Sequence, residues 1–277
     1  MGREIKKRNR YSHENDAGGV AEEIGGEMKI LNLYAGIGGN RKNWGDSHEI
    51  TAVEYKPEIA KIYQDFFPRD MVIVADAHQY LLEHYGEFDF IWSSPPCPTH
   101  SKARYAFGVR SGNTKPVYPD MKLYQEIILL KTHFFGKWCV ENVISYYEPL
   151  IIPQTIGRHF YWSNFFIPSI KVEPTRITQA KKTSDYEHKR YVAREGQLRA
   201  GKIKDFEKRY GYDLSRYEGK DKLLMLRNCV EPEIGKHILH CAIKSPALFQ
   251  TIDKKVENTL FTPLPNGDLT SSTRSLE

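Results

Sequence analysis

One pattern in the first half of the chain constrains the fold more than any other feature. Five short aliphatic or β-branched runs each end in a turn or loop, and three of them lead on to residues at helical spacing. Met28–Leu33 predicts a strand ending in a glycine-rich turn. Ile50–Val53 predicts a second strand, and Pro57–Phe67 a helix with proline in its first turn. Met71–Val74 reads as a third strand, followed by a helix through Leu82, and Phe88–Trp92 as a fourth that stops at Pro95-Pro96. Asp120–Phe134 predicts an amphipathic helix with Asp120 at its N-cap, and Trp138–Val140 a fifth strand. Strand and helix in strict alternation imply βαβ units, so the expected class is α/β: a parallel sheet with helices on both faces.

Sheets of this kind place ligands at the carboxyl ends of their strands. The residues with chemistry to offer fall there: the glycine turn after the first strand, Glu54 after the second, Asp76 after the third, Pro95-Pro96-Cys97 after the fourth and Glu141-Asn142 after the fifth. The stretch from Ile170 to Lys222 breaks the alternation, and one helix around Gln197–Tyr210 with little core material is expected in it. Leu223–Val230 and a helix over Pro232–Ile243 then return to the main domain, the last helix packing beside the first strand. The expected organisation is a flexible arm over 1–26, a catalytic and cofactor domain over 27–169, a small basic recognition insert over 170–222, a return over 223–250 and a largely flexible tail over 251–277.

Charge is concentrated in the insert. Lys171 to Lys222 holds 15 Lys and Arg against 9 Asp and Glu, whereas the whole chain of 277 residues carries only +5. A basic segment beside a near-neutral body points to a polyanionic partner, although a solvated face has the same composition. No run approaches the roughly 20 apolar residues of a membrane span, and no charged-then-apolar leader opens the sequence, so neither an integral membrane role nor secretion is expected. The four cysteines, Cys97, Cys139, Cys229 and Cys241, lie far apart without a CxxC pair. That spacing argues against a disulfide framework or a zinc finger and for a reducing compartment; no metal site is expected.

The turn Leu33-Tyr34-Ala35-Gly36-Ile37-Gly38-Gly39 can bend sharply and approach a ligand closely, but such turns bind dinucleotides, nucleotides or S-adenosylmethionine, or simply connect. Glu54 can accept both hydroxyls of a ribose or be a surface acid before a helix. Asp76 can accept from an adenine amino group, cap the following helix, or both. No Walker-type GK[ST] is present, which disfavours ATP. Cys97 is the exception among the cysteines, because two prolines hold it on stiff backbone in a polar loop where a nearby cation or amide dipoles could stabilise a thiolate. The other three read as small inert hydrophobes. Glu141 follows buried apolar residues, so desolvation should favour its protonated form and let it donate a proton. A thiol and a protonatable acid at neighbouring strand ends point to sulfur addition to an electron-poor ring or carbonyl. A Cys–His hydrolase using His100 is the competitor, but it gives no reason for the cofactor-type acids.

Taken together, these residues resemble the DNA cytosine-5 methyltransferases, specifically the short phage or bacterial type. The matching elements run in the family's order from about 28 to 243: Leu33 to Gly39, Glu54, Asp76, Pro95-Pro96-Cys97 with Ser101, Glu141-Asn142-Val143, Arg158, and Arg227-Asn228-Cys229-Val230-Glu231-Pro232. The resemblance implies a Rossmann-like sheet that uses S-adenosylmethionine (SAM). It implies that Tyr34, Ala35, Gly36, Ile37, Gly38, Gly39, Glu54, Tyr55, Asp76, Ala77, Pro96 and Asn228 hold SAM. Cys97 is then implied to attack C6 of a flipped cytosine, with Glu141 at ring N3 and Arg158 on the base, while the loop Ser101–Asp120 closes over the DNA. Departures from the family pattern are Pro98 where glutamine usually follows the cysteine, Arg227 where glycine usually precedes the asparagine, and the shortness of the insert.

The implied partners are double-stranded DNA and a cognate restriction endonuclease, for a monomeric protein of a prokaryotic or phage-infected cytoplasm. Three readings compete: the same chemistry on RNA such as tRNA, a catalytically weak DNA-binding module, and amino-group methylation suggested by Ser94-Pro95-Pro96, which would want an aromatic where Cys97 stands.

Overall fold

A computed structural model describes residues 26–171, 188–218 and 221–245. Nearly all of the expected N-terminal arm, part of the insert and the expected C-terminal tail lie outside the described residues. The parallel strands are β1 (Lys29–Leu33), β2 (Glu49–Glu54), β3 (Met71–Val74), β4 (Phe90–Ser93) and β5 (Lys137–Val143). An antiparallel hairpin of β6 (Gln154–Ile156) and β7 (His159–Ser163) completes a seven-stranded sheet of order β3-β2-β1-β4-β5-β7-β6. The chain leaves β1 toward β2 on one side and reaches β4 on the other, so the switch point of the sheet lies between the ends of β1 and β4.

Helices cover both faces, as the alternation requires. Leu31, Leu33, Val53, Ile91 and Val140 pack on one face against Leu81 of α2 (Ala77–His84). Leu123, Ile127 and Leu130 of α4 (Lys122–His133) complete that layer; the short α3 (Lys102–Arg104), continued by a wide turn over Tyr105–Val109, lies between them in sequence. Ile30, Ile50, Phe90 and Cys139 face the opposite side and meet Ile234, Ile238 and Leu239 of α7 (Pro232–Lys244). Central strands buried on both faces read as continuous apolar runs, which is why their existence is plain in sequence. Among the described residues no helix is long and apolar enough to cross a membrane.

The structure departs from the sequence expectations in four places. Asp120 stands one residue before the N-cap of α4, which is Met121, although its Oδ1 still accepts from Lys122 N–H (3.1 Å) at the first residue of the helix; its backbone N–H donates to Thr99 Oγ1 (3.0 Å) and ties it to the cysteine loop. The fifth strand extends past Val140 to Val143, because β7 offers it a second partner and pairs Glu141 with Tyr161. Glu141 therefore stands inside a strand, not after one. The β6–β7 hairpin has no counterpart in the expected pattern. Finally, the insert carries core material. Its helix α5 runs from His188 to Tyr210, and Phe206, Tyr210, Tyr212 and Leu214 are buried with Ala35, Ile37, Ala52, and Ile62 and Tyr63 of α1 (Pro57–Phe66). Burying a large apolar side chain contributes about 1.5–3 kcal/mol, so four of them dock this segment onto the main domain. Helix α6 (Lys222–Asn228) adds Leu226 to the same cluster.

Candidate active site

The turn after β1 is built by backbone conformations that side chains oppose. Gly36 has φ +57, and so, against its chemistry, does Tyr34 nearby (φ 55). Gly36 N–H donates to Glu54 Oε2 (3.0 Å), while Lys56 N–H donates to Glu54 Oε1 (3.0 Å). The acid at the end of β2 thus pins the turn and keeps lone pairs for a ligand. Ala35, Ile37 and Ala77 are buried in core clusters, so their backbones, not their side chains, are what they can offer to a cofactor. Tyr55 is exposed at the rim. Gly39 is packed so closely that an added Cβ would lie 2.6 Å from the Val230 carbonyl oxygen and 2.7 Å from Cys229 Cβ. That contact brings Asn228, at the end of α6, beside the turn across nearly two hundred residues of sequence. Burial pushes the Cys229 thiol up to about 12, in keeping with an inert packing role.

Asp76 caps the helix that follows it. Its Oδ1 accepts from His78 N–H (2.9 Å) and Gln79 N–H (3.3 Å), capping α2, and its Oδ2 lies 3.6 Å from Lys122 Nζ. Partial burial opposes ionisation, but these two amides and Lys122 outweigh it and hold the carboxyl below the usual range. The second oxygen, half exposed, remains available to an amino group.

The cysteine loop is tied on all sides. Trp92 Nε1 donates to Ser94 Oγ (2.8 Å), His100 N–H to the Cys97 carbonyl (3.0 Å), and Tyr146 N–H to the His100 carbonyl (3.1 Å). Asn142 Nδ2 donates to the Pro95 carbonyl (3.0 Å) from β5. The residue beside Glu141 therefore fixes the prolines that precede Cys97. Cys97 itself is half-buried, and a groove of about 160 Å³ opens in the loop just after it, lined by Pro98, Thr99 and Ser101 with Tyr105, Val117 and Tyr146 among others. Tyr105 stacks on Tyr146 at 4.8 Å with planes 7° apart.

One expectation changes here. Among the described residues no cation lowers the thiol: burial, and after it the charge of Glu141, push the Cys97 thiol up. The resting residue is a protonated thiol. The group beside Glu141 is His159, whose Nε2 lies 3.6 Å from Glu141 Oε1. Arg158 is exposed in the β6–β7 turn next to Gly157 (φ +60), and its charge is felt instead by Tyr210 at the end of α5. Sequence reasoning missed His159 because the hairpin was unforeseen. Once β7 is recognised, period-two alternation puts His159 and Tyr161 on the face that Glu141 occupies. His100 is buried, with Nδ1 2.6 Å from Tyr147 OH, and burial lowers its pKa; none of its side-chain hydrogen bonds reaches Cys97, so the hydrolase dyad does not form.

With this geometry in view, comparison with known proteins is informative. Residues 28–143 match the family described as C-5 cytosine-specific DNA methylase, a span from the residue before β1 to the last residue of β5 that contains both Cys97 and Glu141. Over that segment the chain is similar to the C-5 cytosine-specific DNA methylases. No curated protein matches it. Among solved structures it is similar to a DNMT2 triple mutant from Spodoptera frugiperda at 15% identity and TM-score 0.47, covering 79% of this chain and 100% of that one. A hypothetical protein of Thermus thermophilus aligns at 18% identity and TM-score 0.34 over 50% of this chain and 74% of its own. A putative methyltransferase from Escherichia coli aligns at 14% identity and 0.34 over 51% and 76%. The sheet order is that of a Rossmann-like α/β fold. The residues at its strand ends fit S-adenosylmethionine: an open glycine turn, one carboxylate at the end of β2, and another beyond β3 whose second oxygen is half exposed beside Lys122.

Proposed function

We propose that this chain is a cytosine-5 methyltransferase acting on a cytosine flipped out of double-stranded DNA, through a transient bond between Cys97 Sγ and ring C6. The observation that carries the reading is the joining of Cys97, in the loop after β4, with Glu141, inside the neighbouring strand β5. Glu141 raises the Cys97 thiol, and Asn142, its neighbour, anchors Pro95. A stacked base cannot be reached by either group, so the nucleotide must leave the duplex.

Within this site Glu141 delivers a proton to N3 as Cys97 gives its thiol proton to solvent and forms the Sγ–C6 bond. The C5–C6 double bond is thereby converted to an electron-rich enamine. The glycine turn, Glu54 and Asp76 would hold SAM, whose sulfonium would supply the methyl group that C5 takes up. Loss of the C5 proton to a base restores the double bond, breaks Sγ–C6 and returns the N3 proton, leaving 5-methylcytosine and S-adenosylhomocysteine. His159 lies beside the Glu141 carboxyl, Nε2 3.6 Å from Oε1, and the basic face of α5 attracts phosphate. Support for DNA over RNA is the family match; a monomer in a prokaryotic or phage-infected cytoplasm, paired with a restriction endonuclease, fits a short member of this type.

Cys97→Ala is expected to abolish transfer of labelled methyl from SAM by roughly three orders of magnitude or more, and retained transfer would overturn the mechanism. Duplex DNA carrying 5-fluorocytosine cannot release a C5 proton and should trap the protein as a covalent adduct at Cys97. Initial rates on duplex DNA and on tRNA decide the substrate: faster transfer to tRNA would replace DNA by RNA in this reading.

A further inference from the structure

Glu126 has no part in the chemistry above, yet it is among the most buried acids of the described chain, 1% exposed in the middle of α4. An ionised carboxylate there is costly unless every oxygen is bonded. Both are. Tyr34 OH donates to Oε1 (2.6 Å), Ser93 Oγ donates to Oε2 (2.6 Å), and His78 Nδ1 lies 2.9 Å from Oε1. A carboxylate only accepts, so its ionised form sets the proton of His78 on Nδ1.

The three partners come from three different segments: the turn after β1, the end of β4 and the first turn of α2. Tyr34 opens the glycine turn, in a left-handed conformation that an L residue resists. Ser93 is the last residue of β4, and Ser94-Pro95-Pro96-Cys97 follows directly. His78 stands two residues beyond Asp76 and donates its backbone N–H to that carboxylate. The β1–β4 ladder ends at the pair Leu33–Ser93. Past that pair the two chains diverge, one toward the cofactor and one toward the cysteine, and Glu126 bonds to both at the point of divergence.

We infer that Glu126 is a positioning residue that couples the SAM-binding turn to the cysteine loop, setting the approach of the methyl donor to the ring held by Cys97. This rests on the functional reading given above. It assigns two separable branches: Tyr34 transmits to cofactor affinity and Ser93 to the chemical step. A purely structural acid would not separate them. The network also has a titratable reporter. Glu126 is the main cause that raises the His78 pKa, against partial burial and the charge of Lys122, with Asp76 acting in the same sense as Glu126.

The test is SAM binding by calorimetry, methyl-transfer kinetics on duplex DNA, and the ring titration of His78 by NMR, in wild type, E126Q, Y34F and S93A. E126Q is expected to weaken SAM by about tenfold or more, to lower kcat, and to lower the His78 midpoint while keeping the wild-type circular dichroism. Y34F should weaken SAM while kcat at saturating SAM is retained; S93A should keep SAM affinity and lower kcat. An E126Q variant that binds SAM as tightly as wild type overturns the inference. So do Y34F and S93A variants whose affinity and kcat fall in parallel, and these two carry the test if E126Q fails to fold. A wild-type chain that binds no SAM overturns the functional reading and this inference together, whereas the other outcomes overturn the inference alone.

Discussion

Glu141 has the imidazole of His159 3.6 Å from Oε1, while Arg158, one residue earlier, stands exposed in the hairpin turn. Misplacing a catalytic group by about an ångström can cost on the order of a hundredfold in rate. His159→Ala is therefore expected to lower kcat by roughly ten- to a hundredfold, and Arg158→Ala to act mainly on KM for the nucleic acid. Equal kcat in wild type and His159→Ala would show that Glu141 needs no such support. The same carboxylate makes a second prediction at Cys97. Since burial and Glu141 both raise the thiol, its thiolate fraction is small at neutral pH and grows as the pH rises. Removing the charge lowers the Cys97 pKa, so Glu141→Gln should speed alkylation of Cys97 by iodoacetamide at a fixed pH near 8. An unchanged or slower rate would remove the electrostatic contact between the two groups.

Elements matter here chiefly where they meet. Gly39 permits the segment between α6 and α7 to close on the glycine turn, and both flanking atoms, the Val230 carbonyl oxygen and Cys229 Cβ, belong to backbone or to its first side-chain atom. Neither can rotate away. Gly39→Ala is expected to displace Asn228 from the turn and weaken SAM binding with little loss of helix content, measured by calorimetry beside circular dichroism; full affinity would mean that the return segment is not part of the cofactor site. On α2, Asp76→Ala should cost about 0.5–2 kcal/mol of stability through the lost cap, whereas Asp76→Asn keeps an acceptor for His78 and Gln79 and should cost less in urea unfolding. The docking of α5 by Phe206 and Tyr210 gives its exposed Lys204 and Lys208 a fixed bearing on the main domain.

For the molecule as a whole, one buried ion pair joins the segment after the glycine turn to the start of β3. Arg41 Nε and Nη2 donate to Asp70 at 2.9 and 3.0 Å, Tyr63 OH adds a bond to the same carboxylate at 2.8 Å, and the guanidinium lies over the Phe67 ring. Breaking this pair leaves the buried guanidinium with only the exposed Asp46, 3.2 Å from Nη2, so Asp70→Asn is expected to cost up to about 3–5 kcal/mol in urea unfolding. A loss below about 1 kcal/mol would mean that water reaches Arg41. Charge acts at longer range through the insert. DNA affinity should fall steeply with salt, and Lys204→Ala and Lys208→Ala should each reduce the slope of log K against log salt by about one if they meet phosphate.

The strand–helix alternation, the parallel sheet and the chemistry at its carboxyl edge were legible because each depends on local spacing: apolar runs for strands buried on both faces, and a glycine turn, Glu54, Asp76 and Cys97 just beyond them. Those residues needed no partner to be recognised. His159, Glu126 and the place of Glu141 inside β5 depended on pairings between segments distant in sequence. The β6–β7 hairpin gave Glu141 a neighbour across the strand, and the packing of α4 put Glu126 beneath two strand ends. A buried acid on an amphipathic helix looks in sequence like any surface glutamate, and a histidine in a short edge hairpin like any loop residue. Local periodicity determines which elements form; only the meeting of those elements decides which polar groups lose water and must find each other, because desolvation is set by neighbours that sequence order does not name.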